Sequence, residues 1–247
     1  MSRKSSGGFW ETLKTIVYAV LIAVGIRTVA FEPFNIPSAS MVPTLLVGDY
    51  LFVSKFSYGY SRHSLPFGMP LFSGRILAAE PERGDVAVFK LPSDNSTDYI
   101  KRVVGLPGDR IQVVNGILNI NGKAVERRRV DDYVSRDSFG NTRRAPQYVE
   151  TLPNGRTHSI IENDGDLSPT DNTPVYVVPP KHYFMMGDNR DNSQDSRYLD
   201  YVGYVPFENL VGRAEFLFFS TDGSAAIWEL WKWPWAIRFA RFFDGIN

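Results

Sequence analysis

Two hydroxyl side chains stand between prolines in the stretch Phe34-Asn35-Ile36-Pro37-Ser38-Ala39-Ser40-Met41-Val42-Pro43-Thr44-Leu45. Pro37 and Pro43 fix φ and bias Ile36 and Val42 toward extended geometry, so the stretch predicts a stiff loop or strand edge and not a helix. Ser38 and Ser40 are then either presented for chemistry or satisfied within an ordinary turn. A serine becomes a nucleophile only beside a base. The candidate is Lys101, which stands inside the apolar run Tyr99-Ile100-Lys101-Arg102-Val103-Val104. Alternation along a strand puts Lys101 on the face of Tyr99 and Val103, opposite Ile100 and Arg102. Facing solvent, it is an ordinary lysine. Facing inward, it would be desolvated and its pKa would fall from about 10.4 toward neutrality, leaving an amine able to accept a proton. A third stretch, Gly187-Asp188-Asn189-Arg190-Asp191-Asn192-Ser193-Gln194-Asp195-Ser196-Arg197, directly follows an apolar strand. With Asp and Arg in near balance, it is either a solvated loop or a hydrogen-bonded network that holds a site rigid.

Composition narrows the classes. A chain of 247 residues has room for one large β domain or two modest ones, and 43% apolar residues are enough for a sizeable core. The formal net charge is zero, so nothing in the bulk charge favours nucleic acid or an acidic partner. With no cysteine, disulfides, thiol nucleophiles and cysteine metal sites are excluded. His63, His158 and His182 are not paired at metal-ligand spacing, so no metal is expected, and all three are read as loop or surface residues. A Ser-His-Asp hydrolase would need a telling histidine and, in one large class, a Gly-x-Ser-x-Gly elbow, and the chain has neither.

The elements that must position these residues follow in order. Residues 1–9 form a polar, basic tail. Residues 10–31 are apolar enough to cross a bilayer as a helix, with Lys14 and Arg27 near its ends. No small-x-small cleavage site follows, which favours an uncleaved anchor over a signal peptide. Arg3, Lys4 and Lys14 precede the span and place the N-terminus in the cytoplasm and the body outside. Beyond the anchor the chain reads as all-β. Strands are expected at Asp49–Phe56, Val86–Lys90, Tyr99–Val104, Val175–Val178 and Tyr183–Met186. Asn115-Gly116 and Asn121-Gly122 mark hairpins, and Pro153-Asn154-Gly155 marks another. Ser61 to Pro81 reads as a loop, and Arg83-Gly84-Asp85 as a tight turn. Residues 225–247 are aromatic and basic, and together with Phe216 to Phe219 they crowd the C-terminus with rings. Phe216 to Phe219 are expected to close the β core. The later aromatics, alternating with Lys232, Arg238 and Arg241, suit a lipid headgroup interface.

In sequence order, Pro37-Ser38-Ala39-Ser40-Met41, Arg83-Gly84-Asp85-Val86, Tyr99 through Asp109 and Gly187 through Ser193 resemble the conserved blocks of bacterial type I signal peptidase, a membrane-anchored serine protease. The resemblance runs from the anchor to about Arg213, with Ala39 where the family commonly has glycine. It implies Ser40 as nucleophile, Lys101 as general base, Ser38 as a side-chain oxyanion donor and Ser193 as the hydroxyl that orients the lysine. Asp195 and Arg197 are implied as a supporting ion pair, with Arg102 and Asp188 also in support. Pockets for small residues, of the Ala-x-Ala kind, would be lined by Phe34, Ile36, Met41, Leu45, Leu51, Val88, Asp98, Tyr99 and Ile100. The implied fold is an all-β catalytic body of two antiparallel sheets behind one transmembrane helix. Residues 32–110 and 183–224 form its core and 111–182 an inserted β subdomain. Implied partners are the signal peptides of exported preproteins and the lipid bilayer, with no nucleic acid, no cofactor and a monomeric chain at the bacterial inner membrane. Two rivals share parts of this pattern: a membrane-tethered β scaffold or peptide-binding module without chemistry, and a soluble DNA-binding Ser-Lys autoprotease. The anchor and the lack of a helix-turn-helix pattern speak against the second.

Overall fold

A computed structural model describes residues 8–64, 72–136, 141–165, 168–225 and 228–246. Most of the N-terminal tail, residues 1–7, lies outside the described residues, as does part of the expected loop, residues 65–71. In chain order the elements are α1 (Phe9–Val29), β1 (Phe31–Asn35), β2 (Asp49–Ser54), β3 (Val86–Lys90), β4 (Asp98–Gly105), β5 (Arg110–Val114), β6 (Ile117–Ile120), β7 (Lys123–Ala124) and β8 (Glu126–Arg129). There follow β9 (Tyr133–Arg136), β10 (Thr142–Ala145), β11 (Gln147–Thr151), β12 (Thr157–Ile161), β13 (Tyr176–Val177), β14 (His182–Met186), β15 (Val205–Pro206), β16 (Leu210–Ser220) and the short α2 (Trp233–Ala236).

Helix α1 has 21 residues, an 18-residue window of which has a mean hydropathy of 1.6, and none of them is buried against the body. At 1.5 Å per residue it is about 30 Å long, the thickness of a bilayer core. It stops at Val29, two residues short of the expected span, because Phe31 already pairs with Ser54 across β1 and β2. An ion chain secures the junction. Glu32 bonds Arg27 at the end of the helix and lies 2.9 Å from Lys55 Nζ. Burial alone would raise the Glu32 carboxyl, but Lys55 and Arg27 hold it below its usual range.

Every pairing between the named strands is antiparallel. The main sheet of the body has seven strands in the order β1-β2-β16-β3-β4-β14-β15. Residues 110–177 supply three smaller sheets: β13-β5-β6-β7, β12-β11-β8 and the hairpin β9–β10. The expected turns are in place, with positive φ at Asn115-Gly116, Asn121-Gly122, Gly155 and Gly84. Strand β4 is central, hydrogen-bonded at both edges by β3 and β14, and side chains pack on both of its faces. Ile100 packs beside the cluster that includes Ile36, Met41, Leu45, Leu51 and Val88, whereas Tyr99 and Val103 pack with Ala87, Phe89 and Met185. Val104 joins a third cluster with Ile111, Leu118 and Phe184, so the sheet β13-β5-β6-β7 shares a core with the main one.

The C-terminal segment packs only partly on the body, with Leu217 fully buried in its core. Phe216 and Phe218 are only half-buried and pack on Phe52, with ring centroids 5.5 and 4.4 Å away. Arg238 and Arg241 turn toward the body. Arg241 reaches the fully buried Asp49 carboxylate (Nη2–Oδ2 2.6 Å) and the Thr44 carbonyl, and Arg238 reaches the Val47 carbonyl. An ion left unpaired in the interior is costly, and Asp49 draws these arginines back onto the body. Trp228, Trp231, Trp235, Phe239 and Phe243 of the same segment are exposed.

Candidate active site

Of the two orientations open to Lys101, the structure shows the inward one. Lys101 is 4% exposed, and its Nζ lies 2.7 Å from Ser40 Oγ and 2.9 Å from the Ile100 carbonyl. The local fold explains the meeting. Pairing of β14 with β4 ends at Met186 opposite Arg102, so Lys101 is the first residue beyond it and borders the turn that carries Ser40. That turn is a run of tight bends from Ser38 to Leu45, in which Val42 N–H bonds Ala39 O and Leu45 N–H bonds Met41 O. It is tied to the loop after β14 by Asn189 N–H to Ser40 O and by the Asn189 amide to Ala39 O. Gly187 permits this close approach, since a Cβ there would stand 2.5 Å from Ser40 O and 2.2 Å from Ser193 Oγ.

No carboxylate bonds the Lys101 amine. Burial pushes its pKa down from 10.5 to about 8, against a smaller opposing pull from Asp195 and Asp188. Ser38 Oγ lies 3.3 Å from Ser40 Oγ, within reach of the same reacting centre. Ser193 lines the same cleft, but its buried Oγ makes no hydrogen bond to Lys101 and lies near Asp195 outside hydrogen-bonding geometry.

Charged side chains brace the surroundings. Asp195 and Arg197 form the expected ion pair (Nε–Oδ1 2.9 Å), and Asp195 Oδ2 also accepts from Gly187 N–H. Burial would raise Asp195, yet Arg197 holds it below the usual carboxylate range. Arg102 joins Asp188 through two bonds of 2.8 and 2.7 Å and donates to the Gly84 carbonyl. Thr44, in the serine turn, also donates to Asp188. His158 is a correction to the sequence reading. It is neither a loop nor a surface residue but is buried on β12, with Nε2 3.4 Å from Glu150 and 4.0 Å from Asp188. Burial, helped by Arg102, pushes it down to about 4, so it is neutral. His158 sits on a two-residue alternation with Ile160, which turns it into the interior. Its carboxylate neighbours are already held by Arg190 and Arg102, so it forms no triad with Ser40.

A cleft of about 750 Å³ opens in front of the pair. Of the expected specificity residues, Phe34, Ile36, Val88, Asp98, Tyr99 and Ile100 line it. Met41, Leu45 and Leu51 do not. They are fully buried in the cluster behind Ile36 and Val88 and support the wall from the rear. The cleft also gathers residues the sequence reading missed: Asn35, Thr97, Asn192, Gln194 and Tyr198. Asn192 and Gln194 lay within the polar 187–197 stretch, and Tyr198 immediately follows it, so a longer reading of that stretch would have reached them. Thr97 carries no signal in the sequence.

Comparison with known proteins agrees with the geometry. The family described as Signal peptidase, peptidase S26, matches residues 9–219. Signal peptidase I of Rickettsia canadensis is 47% identical over 253 residues, covering 94% of this chain and 92% of the relative. Signal peptidase I of Rickettsia typhi is 42% identical over 256 residues, covering 96% and 93%. A crystal structure of a signal peptidase I from Enterococcus faecalis V583 is 27% identical and covers 55% of this chain and 97% of that one. Its TM-score of 0.32 adds nothing to the fold read above. A match over most of the chain, joined to near-complete relatives above 40% identity, settles membership: the chain belongs to the signal peptidase family, peptidase S26, and is a serine endopeptidase.

Proposed function

We propose that Ser40 and Lys101 cut signal peptides from exported preproteins after small-x-small sites of the Ala-x-Ala kind. The observation that carries this reading is the 2.7 Å contact between a buried amine without a carboxylate partner and the Ser40 hydroxyl. Neutral Lys101 takes the Ser40 proton as Oγ attacks the scissile carbonyl. The oxyanion forms beside the Ser38 hydroxyl and the Ser40 N–H, donors that gain most in the transition state. Lys101 then gives the proton to the leaving amine, and water hydrolyses the ester with Lys101 again as base. Ser193, whose buried hydroxyl lines the same cleft as the amine, is assigned to steady it. Phe34, Ile36, Val88 and Ile100 make bulky walls that admit small side chains and exclude large ones.

In this reading α1 crosses the membrane with the cationic N-terminus on the cytoplasmic side, residues 111–182 are an inserted subdomain, and the chain acts as a monomer. The exposed Trp228, Trp231 and Trp235 would rest on the headgroup layer. Serine at Trp231 and Trp235 should weaken binding to anionic vesicles, and unchanged binding would remove the tail from the interface. The decisive experiment incubates the detergent-solubilised full chain with a preprotein. Processing should occur with the wild type and vanish with Ser40→Ala. Equal behaviour of the two would leave a non-catalytic scaffold or a different nucleophile.

A further inference from the structure

A second groove, of about 910 Å³, lies on the far side of the serine turn. It meets the catalytic cleft through Ala39, Asp191 and Asn192, which line both. One wall is the β9–β10 hairpin, which contributes Tyr133, Ser135 and Arg144, and the floor includes Val42 and Ile161. The wall is fixed in place, because Tyr133 packs against the small cluster of Val42, Ala145 and Ile161 beneath it. The groove differs in character from the cleft. The cleft's exposed lining is mostly apolar, whereas the groove carries guanidinium groups on Arg143, Arg144 and Arg238 and carboxylates on Asp164, Asp191 and Asp222.

We propose that this groove binds the leaving-group side of the substrate, the polar first residues of the mature chain beyond the scissile bond. The proposal rests on the assignment of Ser40 as nucleophile and of the apolar cleft to the acyl side. A polypeptide whose carbonyl carbon sits at Ser40 Oγ has one direction filled by the cleft. Its other direction runs past Ala39 and Asn192, the residues shared with the groove. Mixed charge and an exposed lining more polar than apolar suit a polar segment better than an apolar one, since buried charges need partners. The hairpin therefore supplies a contact that helps orient the bond to be cut, and strand-like polypeptide rising about 3.3 Å per residue would place several residues along it.

The test compares two substrates with the same acyl-side sequence. One ends in a small chromogenic amide at the scissile bond, and the other continues for eight polar residues. Ser135→Trp fills the groove, and Arg144→Glu inverts an exposed charge on its wall. In both variants kcat/KM for the extended substrate should fall, by about tenfold for Ser135→Trp. The truncated substrate does not reach the groove, so its rate should stay within about twofold, which also shows that the variants are folded. Equal losses on both substrates, or unchanged rates on the extended one, would overturn the proposal. Cleavage of either substrate by Ser40→Ala would instead overturn the underlying assignment, so the two failures are distinguishable.

Discussion

Lys101 and Arg102 are consecutive residues of β4, and both are almost wholly withdrawn from water, at 4% and 1% exposure. Their surroundings differ in one respect. Arg102 meets the Asp188 carboxylate through two hydrogen bonds and also donates to the Gly84 carbonyl. Lys101 meets a hydroxyl and a carbonyl but no carboxylate. A buried cation with a counter-ion is a brace, while a buried amine without one loses its proton easily and becomes a base. Asp188 shows the same contrast from the other partner. Its burial would raise its pKa, but Arg102 holds it down, and the ionised carboxylate can also accept from Thr44 in the serine turn. One residue of register along a strand thus separates the chemistry from the brace that positions it.

The comparison predicts opposite signs for two similar substitutions. Lys101→Met should abolish peptide cleavage, with a loss on the order of 10⁴-fold or more in kcat. The same variant should be more stable at pH 7. The fall from 10.5 to about 8 corresponds to about 3 kcal/mol of penalty on the protonated amine. That penalty is complete below pH 8, where the amine is protonated both folded and unfolded, and it is gone above 10.5. Denaturant unfolding at pH 7 beside a peptide assay reads both effects, and a variant that lost stability would break the contrast.

Arg102→Met should do the reverse. It strands Asp188 in the interior, and removing one partner of a buried pair costs about 3–5 kcal/mol. Adding Asp188→Leu should recover much of that loss, because no unpaired charge then remains. A single Arg102→Met variant as stable as the wild type would mean that Asp188 is carried by Thr44 and His158 alone.

The mildest effect concerns pH. Only the neutral amine accepts a proton, so kcat/KM should rise about tenfold per pH unit below the Lys101 pKa and level off above about 8. A flat profile between pH 6 and 9 would leave Lys101 no place as the base.

The active-site pair was legible because each member breaks the pattern of its own segment. Ser40 is a small polar residue in a proline-bounded apolar stretch, and Lys101 is a charge inside a strand. The hairpins were legible because Asn-Gly pairs tolerate the positive φ that such turns need. Other features gave no local sign. Met41, Leu45 and Leu51 sit near the serine in sequence, yet only the packing of β2 and β3 shows that they lie behind the cleft wall and not in it. His158 looks like any strand histidine until Arg102, Asp188, Glu150 and Arg190 close around it.

The sequence by itself determined the apolar helix, the β character of the body, the hairpin turns and the residue types able to do chemistry, since these depend on periodicity and composition within a few neighbours. Whether Lys101 faces solvent or the interior could not be read there, because alternation assigns it a face but does not say which face is covered. That was decided by the side chains packed against both faces of β4, which leave Lys101 almost wholly withdrawn from water. The C-terminal arginines make the same point. Their spacing among aromatics suited a membrane surface, but Asp49, 192 residues away from Arg241, provides a buried carboxylate that draws them back onto the serine turn. Partners so distant in the chain leave no trace in local pattern, and only the folded sheet brings them within hydrogen-bonding distance.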